Sequence, residues 1–273
     1  MALICFASAK GSPGSTLTAL AVAAAWPTSG DRRKLLLEAD ASGGTLALRY
    51  GLGLEPGLVT FAVAAQRHLD PDAVWNHGQT LPGGLPVIVA PDNPDRAASV
   101  LTRSAGTIAN RLAEQSDLDV IVDLGRLGTE APSMDILRAA DVTLMVARPT
   151  VEQLQPATHR LRSLPVPDDR LGWVLIGQAP HSAAEVREAL GYDVAGVIAD
   201  DPRGAAALEG GAAGSRLRRS ALARSATALA ETLAKRHHPL AQQMAEAEAA
   251  VDDDKRISRA TFEMLMNGAS DGR

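Results

Sequence analysis

Short, uninterrupted apolar runs recur along the chain at 2–7 (ALICFA), 34–39 (KLLLEA), 85–90 (LPVIVA), 119–124 (DVIVDL), 142–147 (VTLMVA), 173–177 (WVLIG) and 195–199 (AGVIA). Runs of this length without polar alternation fit strands of a parallel sheet buried on both faces. Between them, stretches at 15–27, 58–68, 94–115, 151–163, 182–190 and 218–235 predict helices long enough for right-handed crossovers. The alternation predicts an α/β fold with a doubly wound, mostly parallel sheet. In such sheets ligands gather beyond the carboxyl ends of the strands, here the loops starting near Ser8, Glu38, Asp123, Arg148, Gly177 and Asp200. After Lys235 the pattern breaks at His237, His238 and Pro239, which predicts a domain over 1–235 followed by a helical C-terminal tail over 236–273.

Composition narrows this picture without redirecting it. The 273 residues are 46% hydrophobic, enough for one large α/β domain with a substantial core but not for a second full domain. A formal net charge of -5 argues against a strongly basic global footprint and leaves only local basic patches. The one cysteine, Cys5, lies inside the first apolar run and reads as a buried structural thiol. His237 and His238 lack acidic or cysteine companions at ligand spacing and read as a solvated helix end. No apolar run approaches a membrane span and no charged region precedes the first one, so a cytoplasmic protein is expected.

The chemistry concentrates in AKGSPGSTL, Ala9 to Leu17, between the first strand and the first helix. A phosphate-binding loop reads G-x-x-x-x-G-K-[ST]: backbone N–H groups cradle phosphates, the lysine reaches the β/γ oxygens and the hydroxyl serves Mg²⁺. Gly14 and Thr16 fit, whereas Ala9 stands for the first glycine and Ser15 for the lysine. Pro13 removes one N–H donor, and Ser12 occupies a glycine position. Asp40 and Asp123 lie at strand ends, where each can cap a loop or position a metal ion or water. Arg126 follows Asp123-Leu-Gly and can stand in for the missing charge, meet a partner or sit at the surface.

Together these segments resemble the ParA/MinD family of P-loop ATPases, the deviant Walker A branch of the SIMIBI class, over about residues 2–235. The family loop K-G-G-x-G-K-[ST] matches at Lys10, Gly11, Gly14 and Thr16. LLLEADASGG resembles the D-x-D switch segment, with Glu38 in place of its first aspartate, and VIVDLGRLG resembles the Walker B strand and second switch. ADVTLMVARPTVEQL and GVIADDPRGAAALEGG are similar to later strands, the second ending in a D-P turn near the base. The resemblance implies a P-loop NTPase fold and an ATP–Mg²⁺ site. Lys10, Gly11, Ser12, Pro13, Gly14, Ser15, Thr16 and Leu17 would line the nucleotide, with Thr16 and Asp123 on the metal side. Asp40 would position the attacking water, and Lys10 would cross a homodimer interface to the partner's nucleotide.

The departures weigh against full activity. Losing the lysine removes charge-assisted contacts worth roughly 1.5–3 kcal/mol, or about 10–100-fold in affinity. The family's adenine-contacting asparagine is replaced by Gly177-Gln178. Two readings stay open, slow hydrolysis or a degenerate site that binds weakly or not at all.

The resemblance implies a positioning protein, similar to the TadZ/CpaE branch that localises pilus or secretion machinery and recruits a protein partner. The alternative is an active partition ATPase that uses nonspecific DNA, through Arg216, Arg218, Arg219 and Arg224; RLRRSALAR reads equally as the outer face of an amphipathic helix. In the tail, Ile257, Thr261, Met264 and Leu265 share one helical face near Lys255, Arg256 and Arg259, as a membrane helix requires. Asp252, Asp253 and Asp254 precede it, so protein contact is expected in preference to lipid. Placement near the inner membrane or the nucleoid follows from the respective readings.

Overall fold

The computed structural model of the chain describes residues 1–10, 13–28, 32–67, 73–128, 130–211 and 215–237. Gly11, Ser12 and the tail from His238 onward, with its acidic run and amphipathic face, lie outside the described residues. In chain order the elements are β1 (Leu3–Ser8), α1 (Ser15–Ala25), β2 (Arg33–Glu38), α2 (Leu46–Tyr50), α3 (Leu58–Ala65), α4 (Ala73–Asn76), β3 (Gln79–Thr80), β4 (Pro86–Ile88), α5 (Pro94–Ala113) and β5 (Leu118–Arg126). They continue as α6 (Met134–Ala139), β6 (Val142–Ala147), α7 (Val151–Arg162), β7 (Leu171–Ile176), α8 (Ala183–Leu190), β8 (Asp193–Ile198), α9 (Pro202–Glu209), α10 (Ser215–Arg218) and α11 (Ala221–His237).

All seven apolar runs form strands, and the sheet order is β3-β4-β2-β5-β1-β6-β7-β8. Every pairing is parallel except β3 with β4. Alternate side chains of β1 enter opposite cores: Leu3, Cys5 and Ala7 join one, and Ala2, Ile4 and Phe6 the other. The first core is covered by α3, α5, α7 and α8 through Phe61, Leu101, Ile108, Leu161 and Val186. The second is covered by α1 and α11 through Leu20, Val22, Leu222, Leu229 and Leu233. This is the doubly wound arrangement, with residues Met1–Ala234 forming one compact unit.

Local chemistry explains the element ends. The first helix stops at Ala25 because Trp26 precedes Pro27 and is pushed out of the helical region, and its indole N–H donates to Asp119 at 3.0 Å. Asn93 caps α5 by accepting the Arg96 N–H, with Pro94 in the first turn. Ser182 and Glu185 form a capping box on α8, which ends at Gly191 in the left-handed conformation. The last helix runs through His237, two residues past the boundary read from the sequence. His237 is half-buried there, not solvated. Cys5 is fully buried, and burial pushes its thiol well above the usual range, as expected for a structural cysteine.

Candidate nucleotide and magnesium site

The phosphate-loop segment leaves the carboxyl end of β1 and enters α1 at Gly14, whose φ of 97° and ψ of 34° place it in the left-handed region. Only glycine takes that conformation without strain. No side chain caps α1, and its first turn carries no acidic residue. Its leading N–H groups and dipole therefore face the loop, as an anion requires. Pro13 and Ser15 are buried, whereas Gly14, Thr16 and Leu17 are half-buried. Ser15, at the lysine position, exposes only 8% of its surface, and Lys10 is exposed on the other side of the loop without an ion pair among the described residues.

Three carboxylates, of Glu38, Asp40 and Asp123, lie near the carboxyl ends of β2 and β5. Glu38 stands beside Asp123 in the parallel register, with Phe6 of β1 on the other side. Asp123 has no exposed surface. Its Oδ1 accepts the Gly125 N–H at 3.0 Å, while Oδ2 has no donor in hydrogen-bond geometry. Burial pushes the Asp123 pKa up to about 7, with further upward pushes from Glu38 and Asp40; the Thr16 hydroxyl and Gly125 N–H oppose this. Thr16 thus stands close enough to favour the charged carboxyl, but short of the alignment a full hydrogen bond needs.

Asp40 is brought to the same place by close packing. Its Oδ1 accepts the Ser42 N–H at 2.7 Å, and its carboxyl covers the α-carbon of Gly125, where an added Cβ would fall 2.0 Å from Asp40 Cγ. Burial raises the Asp40 pKa, against the hydrogen bonds from Ser42. The structure therefore brings Asp40, Asp123 and Thr16 together. Glu38 does something the motif alone did not reveal. Its Oε1 accepts from the N–H groups of Thr45 and Leu46 at 2.7 and 3.1 Å, and its Oε2 from Ala90 at 3.0 Å. It is a buried clamp that starts α2 and ties it to the strand end after β4, although burial still raises its pKa.

An orphaned, buried carboxylate oxygen beside a hydroxyl and a second carboxylate suits a hard, hydrated cation. Mg²⁺ takes few protein oxygens and fills its octahedron with water and phosphate. Among the described residues no group of three or more His, Cys, Asp or Glu side chains forms a metal cage. The residues present therefore fit Mg²⁺. They fit a nucleotide less well, because no lysine points into the loop.

The base end also carries an unusual feature. Arg148, after β6, and Asp200, after β8, form a two-pronged ion pair at 2.5 and 3.0 Å that spans the end of β7. Gly177 lies beneath it, in the left-handed region, with its absent Cβ 3.8 Å from the Asp200 Cβ. The hydrogen bonds from Arg148 hold Asp200 below the usual carboxylate range. Asp201, of the D-P turn, is a structural cap whose carboxyl accepts the N–H groups of Gly204, Ala221 and Leu222. Arg126, which the motif left with three roles, donates from Nε to the Ala9 carbonyl at 3.2 Å and leans over the loop toward α7.

No protein-family model and no curated protein matches the chain. Solved structures do. A ParA family ATPase from Chlorobium tepidum TLS aligns with a TM-score of 0.70 at 20% identity, covering 84% of this chain and 98% of that one. The septum site-determining protein MinD of Pyrococcus horikoshii OT3, complexed with Mg-ADP, aligns at 0.64 and 18%, covering 87% and 98%. The MinC:MinD cell division protein complex of Aquifex aeolicus supplies a chain at 0.65 and 16%, covering 85% and 95%. The fold is thus the P-loop fold of the ParA/MinD ATPases, present over nearly the full length of those chains.

Proposed function

We propose that this chain is a ParA/MinD-like positioning protein with an atypical nucleotide site, which binds ATP with Mg²⁺ weakly and hydrolyses it slowly or not at all. The observation that carries this reading is the division of the site into two halves. Asp123, Thr16 and Asp40 gather on the side where a metal ion would sit, while the phosphate side has a buried Ser15 where a charged side chain is needed. The Mg-ADP bound by the Pyrococcus MinD supports a nucleotide as the ligand class.

In this reading the uncapped N-terminus of α1 holds phosphate oxygens through its N–H groups, and the Thr16 hydroxyl and Asp123 Oδ2 hold the cation. Bound Mg²⁺ would offset charge on the phosphates. Asp40, fixed against Gly125, orients a water by accepting its proton in a hydrogen bond. Lys10, exposed at the loop, is available to a second copy across a homodimer interface. The MinC:MinD complex supports a protein partner as the client, and we assign the chain to placing a bacterial machine such as a pilus or secretion apparatus. With no positive group from its own loop on the transferring phosphoryl, turnover should be far below that of a chain with an intact loop. Phosphate release by the full chain, beside Asp40→Ala, tests this: near-background rates for both are expected, and turnover at intact-loop levels that Asp40→Ala abolishes would overturn the reading.

One observation favours the DNA alternative. Arg218, Arg219 and Arg224 are exposed where α10 meets α11, while Leu222 beneath them is buried. A steep salt dependence of duplex binding, reduced by Arg218→Ala and Arg224→Ala, would support partition; the positioning reading expects neither.

A further inference from the structure

A groove of about 370 Å³ opens beside the loop. Lys10, Arg126, His159 and Arg160 line it, over an apolar floor of Leu127 and Pro156. No carboxylate is among its lining residues. This concentration of basic groups runs against a chain whose net charge is -5. An acidic partner is repelled by such a chain on average and attracted here.

We propose that this groove docks an acidic segment of a partner protein. Arg126 is already oriented, because its Nε is held by the Ala9 carbonyl, while its two terminal amino groups have no hydrogen bond or ion pair among the described residues. A guanidinium fixed in this way matches a carboxylate with two parallel hydrogen bonds. The basic groups come from three elements, the loop after β1, the end of β5 and the last turn of α7. Groups carried on three separate elements suit successive acidic side chains better than one phosphate, which needs donors converging on a point. A concave site of this volume does not admit a nucleic-acid duplex. His159 also lines the neighbouring groove between α7 and α8, of about 470 Å³, whose walls include Val151, Leu154, Val186 and Leu190. A segment crossing α7 would place carboxylates in the first groove and apolar side chains in the second. The proposal goes beyond the nucleotide reading and stands whether or not ATP binds.

The test is fluorescence anisotropy of a short labelled Glu/Leu peptide with the full chain, with its Gln/Leu counterpart as the neutral control. The acidic peptide should bind and the neutral one should not. Arg126→Glu with Arg160→Glu should weaken binding about tenfold or more, and Arg126→Gln with Arg160→Gln by less, while Arg218→Glu with Arg224→Glu leaves it unchanged. Thermal melts confirm that each variant is folded, and the neutral pair serves if the reversed pair is not. Unchanged affinity in both groove variants, or loss only in the α10–α11 variant, would overturn the proposal. Displacement of the peptide by duplex DNA would also overturn it. So would tenfold tighter binding by a chain ending at His237, which would make the chain's own acidic run the occupant. Labelled ADP titrated into Arg160→Glu alone, on α7, separates the two readings: the groove proposal expects weaker peptide binding with the nucleotide affinity unchanged.

Discussion

A carboxyl group with no exposed surface and a pKa near 7 makes folding depend on pH in an unusual direction. Asp123 is raised from 3.8 to about 7 in the folded chain. Its contribution to stability is therefore fully present below about pH 4 and is lost as pH rises through 7, because the unfolded chain gives up the proton first. Asp123→Asn should remove that loss: the variant is expected to melt above the native protein by a margin that grows from pH 4 to pH 8, reaching on the order of a few kcal/mol. Equal melting temperatures across that range would contradict the burial argument. Gly125 offers a second residue-scale test. Its φ is 60° and an added Cβ would overlap the Asp40 carboxyl, so Gly125→Ala should cost about 1–3 kcal/mol in denaturant unfolding. Asp40→Ala should recover part of the loss by removing the overlap and leaving only the backbone strain. The places of Thr16 at the start of α1 and of Asp123 near the end of β5 were legible in the sequence, because each is set by a local succession of apolar run and loop. The packing of Asp40 on Gly125 joins residues far apart in the chain and leaves no trace in either segment.

At the scale of elements, Glu38 shows how a departure from a motif acquires a different use. Its three backbone bonds start α2 and fix the strand end at Ala90. Glu38→Ala would leave the buried N–H groups of Leu46 and Ala90, and the partly buried one of Thr45, without partners, at about 1–3 kcal/mol for each buried group before any relaxation. Faster proteolysis between 39 and 46 in native conditions is the expected readout, and a cleavage rate equal to that of the native chain would deny the clamp. The six predicted helices and seven strands were legible because each is long enough for its period or its apolar run to register. β3 was not, since Gln79–Thr80 is two polar residues placed by pairing with β4. The short helices α2, α6 and α9 span 5, 6 and 8 residues and are set by caps and tertiary contacts such as Glu38 and Asp201. For the same reason the Arg148–Asp200 bridge was invisible: its residues lie 52 positions apart and meet only because β6, β7 and β8 are adjacent.

For the whole molecule, the face beyond the strands' carboxyl ends gathers the loop, the carboxylates and Leu48 of α2, which is 85% exposed. We expect this face to form a homodimer without nucleotide, because a weak site supplies little differential affinity to drive closure. Leu48→Glu should shift sedimentation toward the monomer, whereas a native chain that is monomeric at all concentrations with or without ATP would contradict this. The proposed function requires a site whose magnesium side can hold the cation and whose phosphate side lacks its charge. Titration of labelled ADP into the native chain and into Ser15→Lys, each with and without Mg²⁺, tests it most directly. Weak, Mg²⁺-dependent binding by the native chain and a gain of about 10–100-fold in Ser15→Lys are expected. Equal affinities in the two proteins, or tight native binding indifferent to Mg²⁺, would contradict it.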